Sequence, residues 1–425
     1  MNIKKHTLAL AILMIVSFFS VPGGMAATGI VLQQSSLKYL GAFRVPGGNF
    51  GCSDETRCSF NYGGGPIGYN PLHNSLFMAG HIHNQWVAEI GIPPLVNSNN
   101  LADLNTAAVL QSFADLSAGQ KNKITASGAS IGNGAQLGGF LLNGNRLLVS
   151  VYAFYDGDHE AVYTHFTANA DWSRDGVGFS GLKTVGGAQV PQAGYVAGYM
   201  TKIPSVWQPE FGGPALTGQS NIPIIGRTSL GPAAFVFDPS QVGVKNPVPA
   251  KALVYYPSSH MTLGDYAKAN PNISQSSEIT GVVFPEGSQS ILFFGRHGLG
   301  ACYGTGEECN DPCDDTKGTH GYPYVHQIWA YKANALLAVK NGSRDPWEIF
   351  PYGVWTYELP FQQCGRNLLG AAYDPATQRI YLSQSDADGD LPVVQVFQLQ
   401  LEPADGTPTP VDKHPAPPTG LKIIQ

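Results

Sequence analysis

Apolar and polar residues alternate in short runs along most of this chain, and almost no stretch keeps the 3.6-residue apolar period of an amphipathic helix. Residues 369–399 show the pattern clearly: strand, Asp-Pro turn, strand, loop, strand. Residues 67–92 repeat it with an Asn-Pro turn and residues 138–166 with Asn-Gly. Residues 213–238 give a third form, in which 221–227 reads as the second strand. Residues 280–298 begin a fourth, whose next strand, 325–339, follows an insertion.

Each unit except the last is followed by one more strand-like run, at 107–116, 181–187, 251–257 and 346–359. The last unit lacks one, yet an orphan strand, 37–46, stands near the start. These counts predict an all-β fold, a five-bladed β-propeller of four-stranded blades in which the N-terminal strand closes the ring. Closure removes the free edges that an open sheet of this size would expose. A seven-bladed ring with two weakly patterned blades is the alternative.

Antiparallel pairing alone sorts the loops. Connections leading into a blade and those between its second and third strands share one face. The long segments, 47–60, 117–135, 188–211, 258–277, 360–367 and the insert 297–324, all belong to it. Loop-borne function is expected there.

Composition narrows the setting. Residues 1–27 have the basic start, apolar run and small-residue end of a signal peptide, so a secreted or periplasmic protein is expected. No later run is long and apolar enough to span a bilayer. The propeller is assigned to 28–401 and a Pro-rich tail to 402–425. A net charge of −6 gives no footprint for nucleic acid, and a monomer is expected. In an exported chain the six cysteines point to disulfides, with a metal site as the alternative. Cys52–Cys58 is a plausible local pair, whereas Cys302, Cys309, Cys313 and Cys364 can pair three ways.

Aligned at a small residue, the second strands end on Gly80-His81, Ser150-Val151, Gly226-Arg227, Gly295-Arg296 and Ser383-Gln384. The first strands open near Tyr62, Gln136, Phe211, Glu278 and Arg366-Asn367. The predicted mouth is therefore rich in Arg, His, Tyr and amides and poor in carboxylates. His81, Tyr152, Arg227, Arg296 and His297 are the candidate catalytic residues. His83, Tyr155, Tyr62, Gln136, Gln384, Arg366, Tyr322 and Tyr324 are candidate substrate contacts. Arg forks suit anions, and His and Tyr suit proton transfer. Trp86, Trp207 and Tyr303 add stacking surfaces, although Trp86 also reads as core.

This residue set resembles propeller-fold polysaccharide lyases in fold and residue type. The resemblance implies β-elimination on a uronate polymer: a cation neutralises the carboxylate, and His or Tyr removes the C5 proton. Propeller glycosidases are the second comparison. They need paired carboxylates, for which Glu278, Glu210, Asp156 and Asp386 are the candidates. A non-catalytic glycan-binding or scaffold propeller is the third reading. No cofactor is required. A structural calcium is the ion suggested, at Asp386, Asp388 and Asp390. His81 and His83, with Gln384 or His326, form a second metal candidate. No nucleophile elbow, P-loop, HExxH or dinucleotide fingerprint is present.

Overall fold

The turn signals and alternation organise the chain into small antiparallel sheets. The computed structural model describes residues 29–131, 134–219, 228–260, 273–300, 321–362, 365–401 and 423–424. Strand β1 (Leu37–Arg44) comes first. Blade one follows as β2 (Ile67–Asn70), β3 (Ser75–Ala79), β4 (Val87–Gly91) and β5 (Val109–Ala114). Blade two is β6 (Ala135–Asn143), β7 (Arg146–Ala153) and β8 (His165–Asn169). After β9 (Val185–Gly186), blade three is β10 (Met200–Lys202), β11 (Ala215–Thr217), β12 (Ala234–Phe237) and β13 (Val248–Val254). Blade four is β14 (Ser277–Val283), β15 (Ser290–Gly298), β16 (Tyr324–Lys332) and β17 (Gly353–Tyr357). Blade five is β18 (Leu368–Asp374), β19 (Arg379–Asp388) and β20 (Leu391–Leu399), and β21 (Ile423–Ile424) adds an outer strand to blade four.

The fold is a five-bladed β-propeller. Its innermost strands β2, β6, β10, β14 and β18 touch in that order, and β18 returns to β2. Strand β1 pairs antiparallel with β20 from Leu37↔Leu399 to Arg44↔Val393, so the ring closes with the N-terminal strand as expected. Each of the five seams between blades holds its own apolar core. Phe43 and Val394 meet Met78 and Ala88 between blades five and one, and Leu216 and Leu253 meet Phe293 and Trp329 between blades three and four. Burying each such side chain contributes roughly 2 kcal/mol.

Two blades depart from expectation. The first strand of blade three is Met200–Lys202 and the second is Ala215–Thr217. Residues 213–218 therefore form the second strand, not the first. Residues 221–227 lie outside the described residues. Short, glycine-flanked strands hide this shift, because three residues carry too little alternation to mark a strand. As a result Trp207 and Glu210 lie in a first-to-second-strand connection, on the face opposite the long loops. Trp207 is fully buried there, its indole donating to the Ser288 carbonyl at 2.9 Å. In blade two the run 181–187 is divided. Lys183 bridges to His165, while β9 pairs in parallel with β13 of blade three.

Candidate functional site

A β-bulge shapes the long-loop end of three blades. Pairing slips between Leu137 and Gly139, between Ile279 and Gly281, and between Leu368 and Gly370. Aligned on the bulge, Arg296 corresponds to Tyr152 and to Ser385, one residue off the alignment at the small residue. Each faces a partner on the innermost strand: Glu278↔Arg296 and Gln136↔Tyr152 are paired positions, and Ser385 donates its N–H to the Asn367 carbonyl at 3.1 Å. At Gly295 a Cβ would stand 1.9 Å from the Glu278 carbonyl oxygen, so the strand bearing Arg296 approaches its neighbour only because glycine is there.

The Arg296 guanidinium is committed to the fold. Its Nε and Nη2 donate to the two Glu278 carboxylate oxygens at 2.8 and 2.9 Å, and Nη1 donates to the Gly365 carbonyl at 2.6 Å. It also lies 4.1 Å above the Tyr324 ring. Both charged side chains are only 13% exposed. This is a correction to the expected anion clamp: three of the five N–H donors are engaged within the fold, and the fork already grips a carboxylate of its own blade. Arg366 is likewise paired with Glu358. His297 lies edge-on to the Trp329 ring of the next strand, at 6.4 Å. It is buried, with Nδ1 2.8 Å from the Ser277 hydroxyl. Tyr324 is buried under Arg296, and only Tyr322, 37% exposed, remains as a surface from this part of the set.

Tyr152 is also buried, its hydroxyl donating to Gln136 Oε1 at 2.8 Å. Gln384 is buried in blade five, where it accepts from Gln395 at 2.6 Å and donates to the Phe361 carbonyl at 3.3 Å. Tyr155 is exposed, with its ring edge-on to Phe154 at 4.8 Å. Of the candidate carboxylates, Glu278 is held by Arg296, and Asp156 accepts backbone N–H groups of Glu160 and Ala161. No catalytic carboxylate pair results from these.

The accessible chemistry gathers in blade one. Strand β3 stops at Ala79, and a turn from His81 to Gln85 follows. Its ring geometry brings three predicted residues together. The His81 and His83 rings are 4.7 Å apart, and the Tyr62 ring meets His81 edge-on at 5.7 Å. His81 is buried and accepts the His83 N–H on Nδ1 at 3.2 Å, whereas His83 and Tyr62 are exposed. Burial, then the neighbouring His83, hold the His81 pKa below the usual histidine value of 6.5. The Asp390 carboxylate beside the Tyr62 hydroxyl raises that group's pKa. One imidazole is thus kept neutral and one phenol kept protonated, which suits a base and an acid.

Two further features frame this cluster. The disulfide Cys52–Cys58 fixes the loop before it, and Asn84 reaches back to Thr56 with bonds to Oγ1 and the carbonyl at 2.9 and 3.0 Å. The Lys121 amine donates to the Asn84 carbonyl at 3.0 Å, and burial draws its pKa down to about 8. Lys121 carries no signal in the sequence, since it sits in an unpatterned loop that only the fold brings to blade one. Trp86 is half-buried with the Arg57 guanidinium 5.7 Å from its ring.

The expected calcium ligands are spread among other partners. Asp388 is bound by Arg44 at 2.6 Å, Asp386 accepts from Ser385, and Asp390 serves Tyr62. His326 is buried in blade four, stacked on Tyr357. Among the described residues no three His, Cys, Asp or Glu side chains converge as a metal would require. Arg227, Tyr303, Cys302, Cys309, Cys313 and Cys364 lie outside the described residues.

No known protein family matches the sequence, and no curated relative does. Similarity is found to solved structures. The β-propeller domain of Myceliophteria thermophila Cps50 (Swd1) aligns with 79% of this chain and 72% of its own, at 8% identity and TM-score 0.30. A luciferin-regenerating enzyme aligns with 85% of this chain and 94% of its own, at 9% identity and TM-score 0.36. At such identities the likeness concerns fold alone.

Proposed function

We propose that this is an exported propeller that acts on an anionic, uronate-type polysaccharide at the blade-one end of its long-loop face. The observation that carries the reading is the Tyr62–His81–His83 cluster, in which a buried, neutral imidazole lies against an exposed, protonated phenol and an exposed second imidazole. The chemistry proposed is β-elimination. His81 Nδ1 gives up the His83 N–H that it accepts at rest and takes the C5 proton, the C4–O bond breaks as the C4–C5 double bond forms, and the Tyr62 hydroxyl protonates the departing oxygen. His83, exposed beside His81, offers a ring N–H to the sugar carboxylate, and burial keeps His81 neutral.

The test is incubation of the native protein with alginate, pectate, ulvan and glycosaminoglycans, followed by ultraviolet absorbance of the unsaturated product. No product from any of them overturns the lyase reading. Saturable binding without product supports the second reading, a glycan-binding propeller. That reading is favoured by one specific observation: Arg296, Tyr152 and Gln384 of the long-loop face are all engaged in bonds within the fold.

A further inference from the structure

The opposite face carries a second concavity that the long loops do not touch. A cavity of about 120 Å³ lies on the propeller axis, at the end where first and second strands connect. All five innermost strands contribute to its wall. Its depth is apolar: Ile67, Phe140, Met200, Val282, Phe284 and Ala371 are each buried. Its rim is polar, with Tyr69, Tyr373, Lys202 and Glu286.

Lys202 is the only cation of that lining. It is the last residue of β10, and no hydrogen bond or ion pair joins its amine to any described residue. The Tyr hydroxyls are already engaged. Tyr69 donates to Asn74 Oδ1 at 3.2 Å, and Tyr373 donates to Gln378 at 3.1 Å while accepting the Glu286 N–H at 3.3 Å. Glu286 lies beyond the end of β14, in the turn, so its carboxylate belongs to the outer rim. An exposed lysine at the rim of an apolar recess is half of an amphiphile's binding site.

We infer that this axial cavity binds a small aliphatic monocarboxylate, its chain in the apolar depth and its carboxylate on the Lys202 ammonium. The size follows from volume. A dry apolar cavity of about 150 Å³ accommodates a benzene ring, so about 120 Å³ holds a chain of roughly four carbons. Partial burial already lowers the Lys202 pKa, and a bound carboxylate would reverse that shift.

The experiment is calorimetric titration of the full chain with straight-chain carboxylates from acetate to octanoate, alongside the matching alcohols and alkylammonium ions. Affinity should rise with chain length up to the mid-length acids and then stop rising. Lys202→Met should weaken the best acid by at least about tenfold, the value of a charge-assisted bond, and Lys202→Arg should restore part of it. Carbonyl-labelled acid bound to the native protein should show a carboxylate shift that Lys202→Met removes. The inference is overturned by no saturable binding of any acid, or by binding that Lys202→Met leaves unchanged. It is equally overturned if alkylammonium ions bind better than acids and Glu286→Gln abolishes their binding. Activity on polysaccharides is independent of each of these outcomes, because the cavity lies on the other face.

Discussion

Arg296 and Glu278 face each other across the first two strands of blade four, joined by two parallel hydrogen bonds of 2.8 and 2.9 Å. The sequence marks Arg296 as an exposed anion clamp, and the fold uses it as an internal brace. Removing one partner leaves a nearly buried charge unpaired, which costs about 3 kcal/mol. Arg296→Ala and Glu278→Ala should each lower the denaturation midpoint accordingly, and Arg296→Met with Glu278→Leu should lose less than either. Equal stability of the single variants and the native protein would show that water, rather than the pair, satisfies both groups.

Acid should destabilise the fold through two buried histidines. Burial holds His165 at about 3, and burial with the nearby Arg366 and Arg296 holds His326 at about 3. Both folded pKa values lie below the ordinary 6.5. Their contribution is therefore fully present above pH 6.5 and is lost as the pH falls from there towards 3, by up to about 1.4 kcal/mol per pH unit for each. Among the described residues neither ring nitrogen of His326 makes a well-formed hydrogen bond, the backbone of Tyr357 and Arg366 being the groups that face it. His326→Phe should keep the stacking on Tyr357, raise stability and flatten this acid limb in urea titrations at several pH values.

Elimination by the blade-one cluster needs neutral His81. Because its pKa is held below 6.5, the rate should stay level on acidification until the pH passes below that value, then fall. His81→Gln and Tyr62→Phe should each cut turnover by roughly a hundredfold or more with little change in glycan binding. A rate that already falls between pH 8 and 7 would assign the base to another group.

Loss of the Cys52–Cys58 link should loosen the loop before Tyr62. Closing so short a loop contributes about 2 kcal/mol on the chain-entropy account. The Cys52→Ser, Cys58→Ser pair should therefore melt earlier, and amide exchange should rise over 47–62 more than in blades three and four. Uniform acceleration across all blades would mean that the link stabilises the whole ring rather than the site.

Much of this architecture is legible because repetition amplifies weak signals. The turns at Asp374, Asn70 and Asn143 divide their blades correctly, and the unpaired run near Leu37 foretells its pairing with β20. Blade three escapes because its first two strands have three residues each. The site is less legible, for a physical reason. Strand ends show which side chains share a face, but not whether a partner already occupies them. Glu278, Gln136 and Gln395 lie 16 or more residues away from, or on another strand than, the Arg296, Tyr152 and Gln384 they engage. Tyr62, His81 and His83 are easier to group, because two of them stand two residues apart in sequence and the third opens the same blade.

Ring closure by β1 also fixes an order of assembly. Leu37 pairs with Leu399, so the first strand to be synthesised waits for almost the last. Until residues 391–399 arrive, blade five lacks its third strand and β1 has nothing to pair with. A circular permutant that joins the region after β20 to β1, and opens the chain at 47–51, would turn this long-range pairing into a local hairpin. Such a chain should refold faster than the native one while keeping the same five blades.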